Sequence, residues 1–132
     1  MATFFHLFDD DLFTSYDVRG IALKEITTET AFYLGLSFGL FLNKRRTIIK
    51  KIFGVLIGEK PKVVVGFDGK KASEVLKEKF IEGLILCGVN VVDIDILPAP
   101  VVYYSVSHFD CEAGACISGS DFNGVTSIKF ML

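Results

Sequence analysis

Apolar and polar positions follow two different rhythms along the chain. Ala31, Leu34, Gly35, Phe38 and Leu42 recur at helical spacing. Thr27 stands before them as a plausible N-cap, and Glu29 falls in the first turn, where a carboxylate suits the positive helix end. The spacing predicts a helix ending near Leu42. Gly35 and Gly39 weaken it but permit a neighbour to pack closely. The charged stretch 43–62, holding Gly54, Gly58 and Pro61, is expected to be less regular. A β-branched run, Lys62–Phe67, then predicts a buried strand. It ends in the loop signal Gly66-Phe67-Asp68-Gly69. Ser73 is expected to cap the next helix, whose buried face is Leu76, Phe80, Leu84 and Cys87. Gly88 stops it. A second strand follows at 89–96. Pro98-Ala99-Pro100 leads into a short helix at 101–109. Residues 113–118 form a third strand, 119–127 a loop, and 128–132 a fourth strand.

This order is an α/β pattern with a mixed or mostly parallel sheet. Ligands of such sheets meet the loops that leave the carboxyl ends of strands. Loops 66–72 and 118–127 are those candidates.

Composition narrows the picture. A chain of 132 residues is one domain's worth, and 51% hydrophobic residues suit a core-rich piece that packs against more protein. The formal net charge of −2 argues against a nucleic-acid binder. Lys44-Arg45-Arg46 with Lys50-Lys51 is the one basic cluster, and reads as a solvated loop or helix end. Cys87, Cys111 and Cys116 are odd in number and widely spaced. They read as small hydrophobes in a reducing, cytoplasmic setting rather than as a disulfide or zinc framework. The first 13 residues lack a basic n-region and carry Asp9-Asp10-Asp11, so they do not read as a signal peptide. The apolar run 31–42 is too short to span a bilayer, which needs about 20 residues. Neither membrane nor nucleic acid is an expected partner.

Three segments hold candidate chemistry. Gly66-Phe67-Asp68-Gly69-Lys70-Lys71 lies between a strand and a helix. It has too few residues between its glycines for a Walker loop and lacks the hydroxyl that follows the lysine. Lys70 and Lys71 near a helix start could still favour an anion, or be two solvated lysines. Ser118-Gly119-Ser120-Asp121 follows a strand; it is either a plain turn or a loop whose amides hold an anion beside a phosphorylatable serine. In Tyr16-Asp17-Val18-Arg19-Gly20 the arginine is either a phosphate clamp or a local partner of Asp17. His6 and His108 lack metal-ligand spacing. Asp93 and Asp95 share one strand face and lack a third ligand.

In this order the segments resemble the α-D-phosphohexomutases of the phosphomannomutase/phosphoglucomutase type. The segment from Phe13 to Gly20 resembles the family's F-x-x-Y-D-I-R-G, and that from Val63 to Lys70 its V-V-V-G-R-D-T-R. The stretch from Gly83 to Pro100 is similar to G-L-x-x-x-G-V-x-V-x-D-x-G-x-x-P-T-P. The segment from Ala113 to Ser120 resembles A-G-x-x-I-T-A-S, and the last five residues I-K-F-x-L. The resemblance implies a three-layer α/β/α sandwich, domain I of the mutase. Residues 1–12 would be an N-terminal extension, and 13–132 domain I truncated at the strand after the serine loop. It implies interconversion of sugar 1- and 6-phosphates through a phosphoserine at Ser120. Arg19 and Lys129 would lie near the transferring phosphate, with Tyr16, Lys70 and Gly119 as further phosphate contacts. Mg²⁺ would bind through the phosphate on Ser120, and a glucose 1,6-bisphosphate-type activator would charge the serine. A hexose phosphate is the implied substrate. The remaining mutase domains as a separate chain, or a homo-oligomer, are the protein partners left open.

The departures set a second expectation. The family's T-A-S-H-N-P reads Ser118-Gly119-Ser120-Asp121-Phe122-Asn123 here. Asp121 puts a negative charge beside a phosphate site, a cost of about 1 to 4 kcal/mol at about 4 Å in wet surroundings. The loop to Lys129 is one residue short. Phe67 and Lys70 both stand where the family has arginine. The metal, sugar and distal phosphate loops of the family belong to later domains. The chain is therefore expected to be incomplete and inactive alone; the alternative is a degenerate, non-catalytic interaction or oligomerisation domain.

Overall fold

The computed structural model describes residues 10–14, 17–54, 60–120 and 123–132. A single 3-10 turn, Asp10–Leu12, precedes strand β1, Asp17–Ile21. Helix α1, Thr28–Phe53, strand β2, Lys62–Phe67, and helix α2, Lys71–Leu86, follow. Strand β3, Asn90–Ile96, helix α3, Ala99–His108, and strands β4, Ala113–Gly119, and β5, Val125–Met131, complete the described elements.

The five strands form one sheet in the order β1-β5-β4-β2-β3. β2 pairs in parallel with β3 and β4, while β5 runs antiparallel to both β4 and β1. Four strands thus share a direction and β5 alone is reversed, the expected mixed, mostly parallel sheet. Alternation along the strands divides the core. Val63, Val65, Phe67, Ala115, Ile117 and Ile128 pack with residues of α1 and α2. Val64, Cys116 and Met131 pack on Val102 of α3. Helices therefore cover both faces, which makes three layers. β2 is an interior strand buried on both sides, which is why its sequence is a β-branched run rather than an alternation.

α1 and α2 meet at a seam without side chains. A Cβ on Gly35 would lie 2.0 Å from the Phe80 carbonyl oxygen, and one on Gly83 would lie 2.1 Å from that of Phe32. The close packing expected of Gly35 is met from both helices. Thr27 caps α1 as expected: its Oγ1 accepts the Thr30 N–H at 3.1 Å.

Four local features differ from the expected layout or add to it. α1 does not end near Leu42 but continues to Phe53. Lysine and arginine are good helix formers, and basic residues suit the negative helix end. Asn43 also ties α1 to the end of α2, its Nδ2 donating to the Cys87 carbonyl at 2.9 Å. Gly54, at φ 60, provides the left-handed stop. Second, 17–21 is a strand; its Asp17 and Arg19 face one side of the sheet while Val18 enters the core. Third, α2 begins after Lys70, so Ser73 sits inside its first turn rather than capping it. Fourth, β5 starts at Val125, three residues earlier than expected. The strand with Asp93 and Asp95 forms as predicted but is irregular: its pairing with β2 shifts between Val65 and Phe67, and Asp95 has φ 61. A bulge and two carboxylates on an edge strand discourage further pairing.

Candidate functional site

The carboxyl ends of β2 and β4 lie side by side, and one side chain joins the loops that leave them. Asp68 follows β2 directly. Its Oδ2 accepts the Gly119 N–H at 2.7 Å, and its Oδ1 accepts the Lys70 N–H at 3.1 Å. Lys70 closes the ring, its ammonium lying 3.2 Å from Asp68 Oδ2 and donating to the Gly119 carbonyl. Partial burial pushes the Asp68 carboxyl up. The Gly119 and Lys70 amides, the Ser73 hydroxyl and the Lys70 side chain outweigh that and hold it below the ordinary carboxylate value. A carboxylate accepting several N–H donors is the expected way to fix a loop that would otherwise sample many conformers.

Gly119 is the last residue of β4, and Ser120 comes next. Ser120 is exposed, and its N–H donates to the Val125 carbonyl at 2.7 Å, so the serine continues the β4–β5 ladder by one step. Thr126 supports this corner by donating from Oγ1 to the Ser118 carbonyl at 3.0 Å.

The other side of the serine loop is built by β1, β5 and α3. Asp17 pairs with Lys129 across the ladder, and Lys129 with Cys116. The next row holds Arg19, Ser127 and Ser118, with the two serine hydroxyls 3.3 Å apart. Arg19, Lys129 and Tyr103 line a cleft of about 680 Å³ between this sheet face and the start of α3. Asp17 is buried beneath it, and its Oδ2 accepts the Arg19 Nε–H at 2.9 Å. The local pairing weighed from sequence is therefore present, yet the Arg19 side chain remains 56% exposed, leaving much of the guanidinium open to the cleft. Among the described residues the Lys129 ammonium has no hydrogen-bond or ion-pair partner.

Of the expected site residues, Lys70, Gly119 and Ser120 come together at the β2–β4 edge, and Arg19 and Lys129 come together in the cleft. The strand and residue spacings put Arg19 and Ser120 about 12 Å apart at their Cα atoms. Tyr16 and Asp121 lie outside the described residues, as does His6. Phe67 does not point at the loop. It is 2% exposed, in the layer under α2, with the Lys77 ammonium 4.5 Å from its ring centroid. Lys77 is itself buried and donates to Asp93 Oδ2 at 2.8 Å. The arginine expected at position 67 is replaced by a core aromatic with a cation behind it. His108 is exposed and stacks on Tyr104 with centroids 5.5 Å apart. The three cysteines are free thiols, each pushed up by burial.

Comparison with known proteins decides the family. The model of the phosphoglucomutase/phosphomannomutase α/β/α domain I matches residues 10–132. The chain belongs to the phosphoglucomutase/phosphomannomutase family. It is 36% identical over 122 residues to a phosphoglucomutase/phosphomannomutase of Thermococcus kodakarensis, covering 89% of this chain and 24% of that protein. A phosphoglucosamine mutase of Caldanaerobacter subterraneus is 36% identical over 118 residues, covering 86% of this chain and 24% of its own length. The fold matches the crystal structure of a protein assigned as a phosphomannomutase from Thermus thermophilus, with a TM-score of 0.72 and 24% identity, over 90% of this chain and 25% of that one. The chain thus spans about a quarter of the length of the curated relatives it matches.

Within this mutase domain I, the residue sequence reasoning missed is Asp68. Its signal was present: an aspartate immediately after a buried strand and two residues before the helix N-cap is placed to accept backbone N–H groups. The paired lysines drew attention instead. Among the described residues no cluster of three or more His, Cys, Asp and Glu is set to hold a metal ion, and no helix is long and apolar enough to cross a membrane.

Proposed function

We propose that this domain supplies the phosphoserine relay of a hexose-phosphate mutase, with Ser120 as the carrier. The observation that supports it most is the placement of Ser120. It is an exposed hydroxyl-bearing residue on a loop pinned by Asp68 and Lys70, one ladder step beyond a face that presents Arg19 and Lys129. Catalysis by positioning needs both parts, a fixed carrier and fixed charges near it.

In the proposed step, a sugar hydroxyl oxygen attacks phosphorus of the Ser120 phosphate. The bond from phosphorus to Ser120 Oγ breaks, and the hydroxyl's proton ends on Oγ. The products are a sugar bisphosphate and the unphosphorylated serine. Return of the second phosphate reverses these bond changes. Arg19 and Lys129 would hold the phosphate oxygens by charge-assisted hydrogen bonds. Mg²⁺, which the family resemblance implies, would supply further charge neutralisation. The described residues do not by themselves fit a resident Mg²⁺ site, since Ser120's phosphate would offer only one protein-borne ligand. No step is assigned to the ion.

Turnover is proposed to require the rest of a mutase, because the curated relatives are about four times longer than the matched segment. The test is intact mass and peptide mapping after incubation with glucose 1,6-bisphosphate and Mg²⁺. One phosphoryl group on Ser120, absent from Ser120→Ala, is expected. A folded chain that takes up none would contradict the relay and leave the non-catalytic interaction domain.

A further inference from the structure

We propose that the C-terminal half of α1 is a docking surface for an anionic lipid bilayer, lying on the membrane rather than crossing it. The last buried residue of α1 is Leu42, and among the described residues none from 43 to 53 is buried. Three turns of helix therefore extend past the core. Their direction is fixed. β1 ends at the serine-loop edge, α1 runs back across the sheet, and the chain enters β2 at the opposite edge. Arg46 marks that edge, its Nε lying 2.6 Å from a carboxylate oxygen of Glu112, just before β4. The remaining turns point away from Ser120.

Charge there runs against the rest of the chain. Residues 30–58 contain five basic and no acidic side chains, in a chain of net charge −2. Apolar side chains share the surface. Phe41, Ile48 and Ile52, at i, i+7 and i+11, fall on one stripe and are 48%, 46% and 68% exposed. Lys44 and Lys51 flank the stripe on one side and Arg45 on the other. Phe53, at the helix end, is 70% exposed. A groove of about 330 Å³ lies among Phe41, Lys44, Arg45 and Ile48.

Basic residues framing an apolar stripe match the two parts of a bilayer surface: anionic headgroups take the charges and the acyl boundary takes Ile48 and Ile52. A nucleic acid would satisfy the charges but leave the isoleucines in water. A second copy brought face to face would set like charges together. Docked this way, the serine loop lies at the sheet edge opposite the docked turns.

The test is co-sedimentation of the whole chain with mixed phosphatidylcholine–phosphatidylserine vesicles and with phosphatidylcholine alone. Binding to the mixed vesicles only, weakening with added salt, is expected. Replacing Lys44, Arg45 and Lys51 by Gln should weaken it on the order of a hundredfold. Ile48→Ser with Ile52→Ser should weaken it about tenfold. All these residues lie outside the core, and circular dichroism checks that the helix is kept. A folded chain that stays in the supernatant overturns the proposal. So does vesicle binding indifferent to the two isoleucines, or duplex DNA bound as tightly as the vesicles. Self-association abolished by the isoleucine variant would assign the surface to a second copy and also overturn it.

Discussion

The serine loop has two neighbours of opposite character. On the β2 side nearly every polar atom is engaged. Asp68 accepts from the Gly119 and Lys70 amides, and Lys70 reaches back to the Gly119 carbonyl. On the β1–β5 side, the Lys129 ammonium has no hydrogen-bond or ion-pair partner among the described residues, and Arg19 donates one N–H to Asp17 while its side chain stays more than half exposed. A closed network fixes geometry, whereas uncommitted cations wait for an anion. We propose that the two sides differ in role: Asp68 and Lys70 position the loop, and Arg19 and Lys129 are the candidates for touching phosphate.

The division can be broken most severely at Asp68. Asp68→Ala strands a partly buried amide and an ammonium, so it should cost about 1–3 kcal/mol and lower Tm by roughly 5–10 °C. Thermal unfolding followed by circular dichroism measures this. Phosphoryl uptake at Ser120 should slow as well, while affinity for glucose 1-phosphate stays near the wild-type value. Equal losses in both would merge the two sides.

Acid sharpens the same point. The folded Asp68 carboxyl is held below its unfolded value, so its contribution is present above about pH 3.9 and is lost as pH falls through the lower, folded pKa. Urea unfolding from pH 6 to pH 2.5 should show the wild-type advantage over Asp68→Asn shrinking in that acid range and constant above it. An advantage unchanged by pH would remove the carboxylate from the account.

Lys129→Met tests the open side. With no partner to strand, it should change stability by less than about 0.5 kcal/mol. Its affinity for glucose 1-phosphate should fall about tenfold, the loss of one charge-assisted hydrogen bond, as calorimetry would read. Arg19→Gln should also have a small effect on folding, under about 1 kcal/mol, since its ion pair is more than half exposed on the arginine side and Asp17 keeps the Thr14 hydroxyl at 2.6 Å. A larger cost would place Arg19 on the structural side of the division.

The layout of the sheet was largely legible because burial writes itself into composition. Val63, Val64 and Val65 announce a strand buried on both faces, and Gly35 announces the helix seam. β1 was not legible, because two of its five residues are charged and serve the site face. The second half of α1 hid for the opposite reason: no face of 43–53 is buried, and five basic residues crowd the short apolar stripe that Ile48 and Ile52 carry. Ser120, Arg19 and Lys129 were singled out by the order of motifs. Asp68 was passed over because its role lies in accepting backbone N–H groups from a loop 51 residues away, a contact that no local pattern encodes.

The most direct measurement is an amide NMR titration of the chain with glucose 1-phosphate. The account predicts that the amide signals of Arg19, Ser127 and Lys129 shift with ligand, while the Gly119 amide, already bonded to Asp68, moves little. A large shift at Gly119 with Arg19 and Lys129 unmoved would contradict it: the anion would then be displacing the clamp rather than entering the open side.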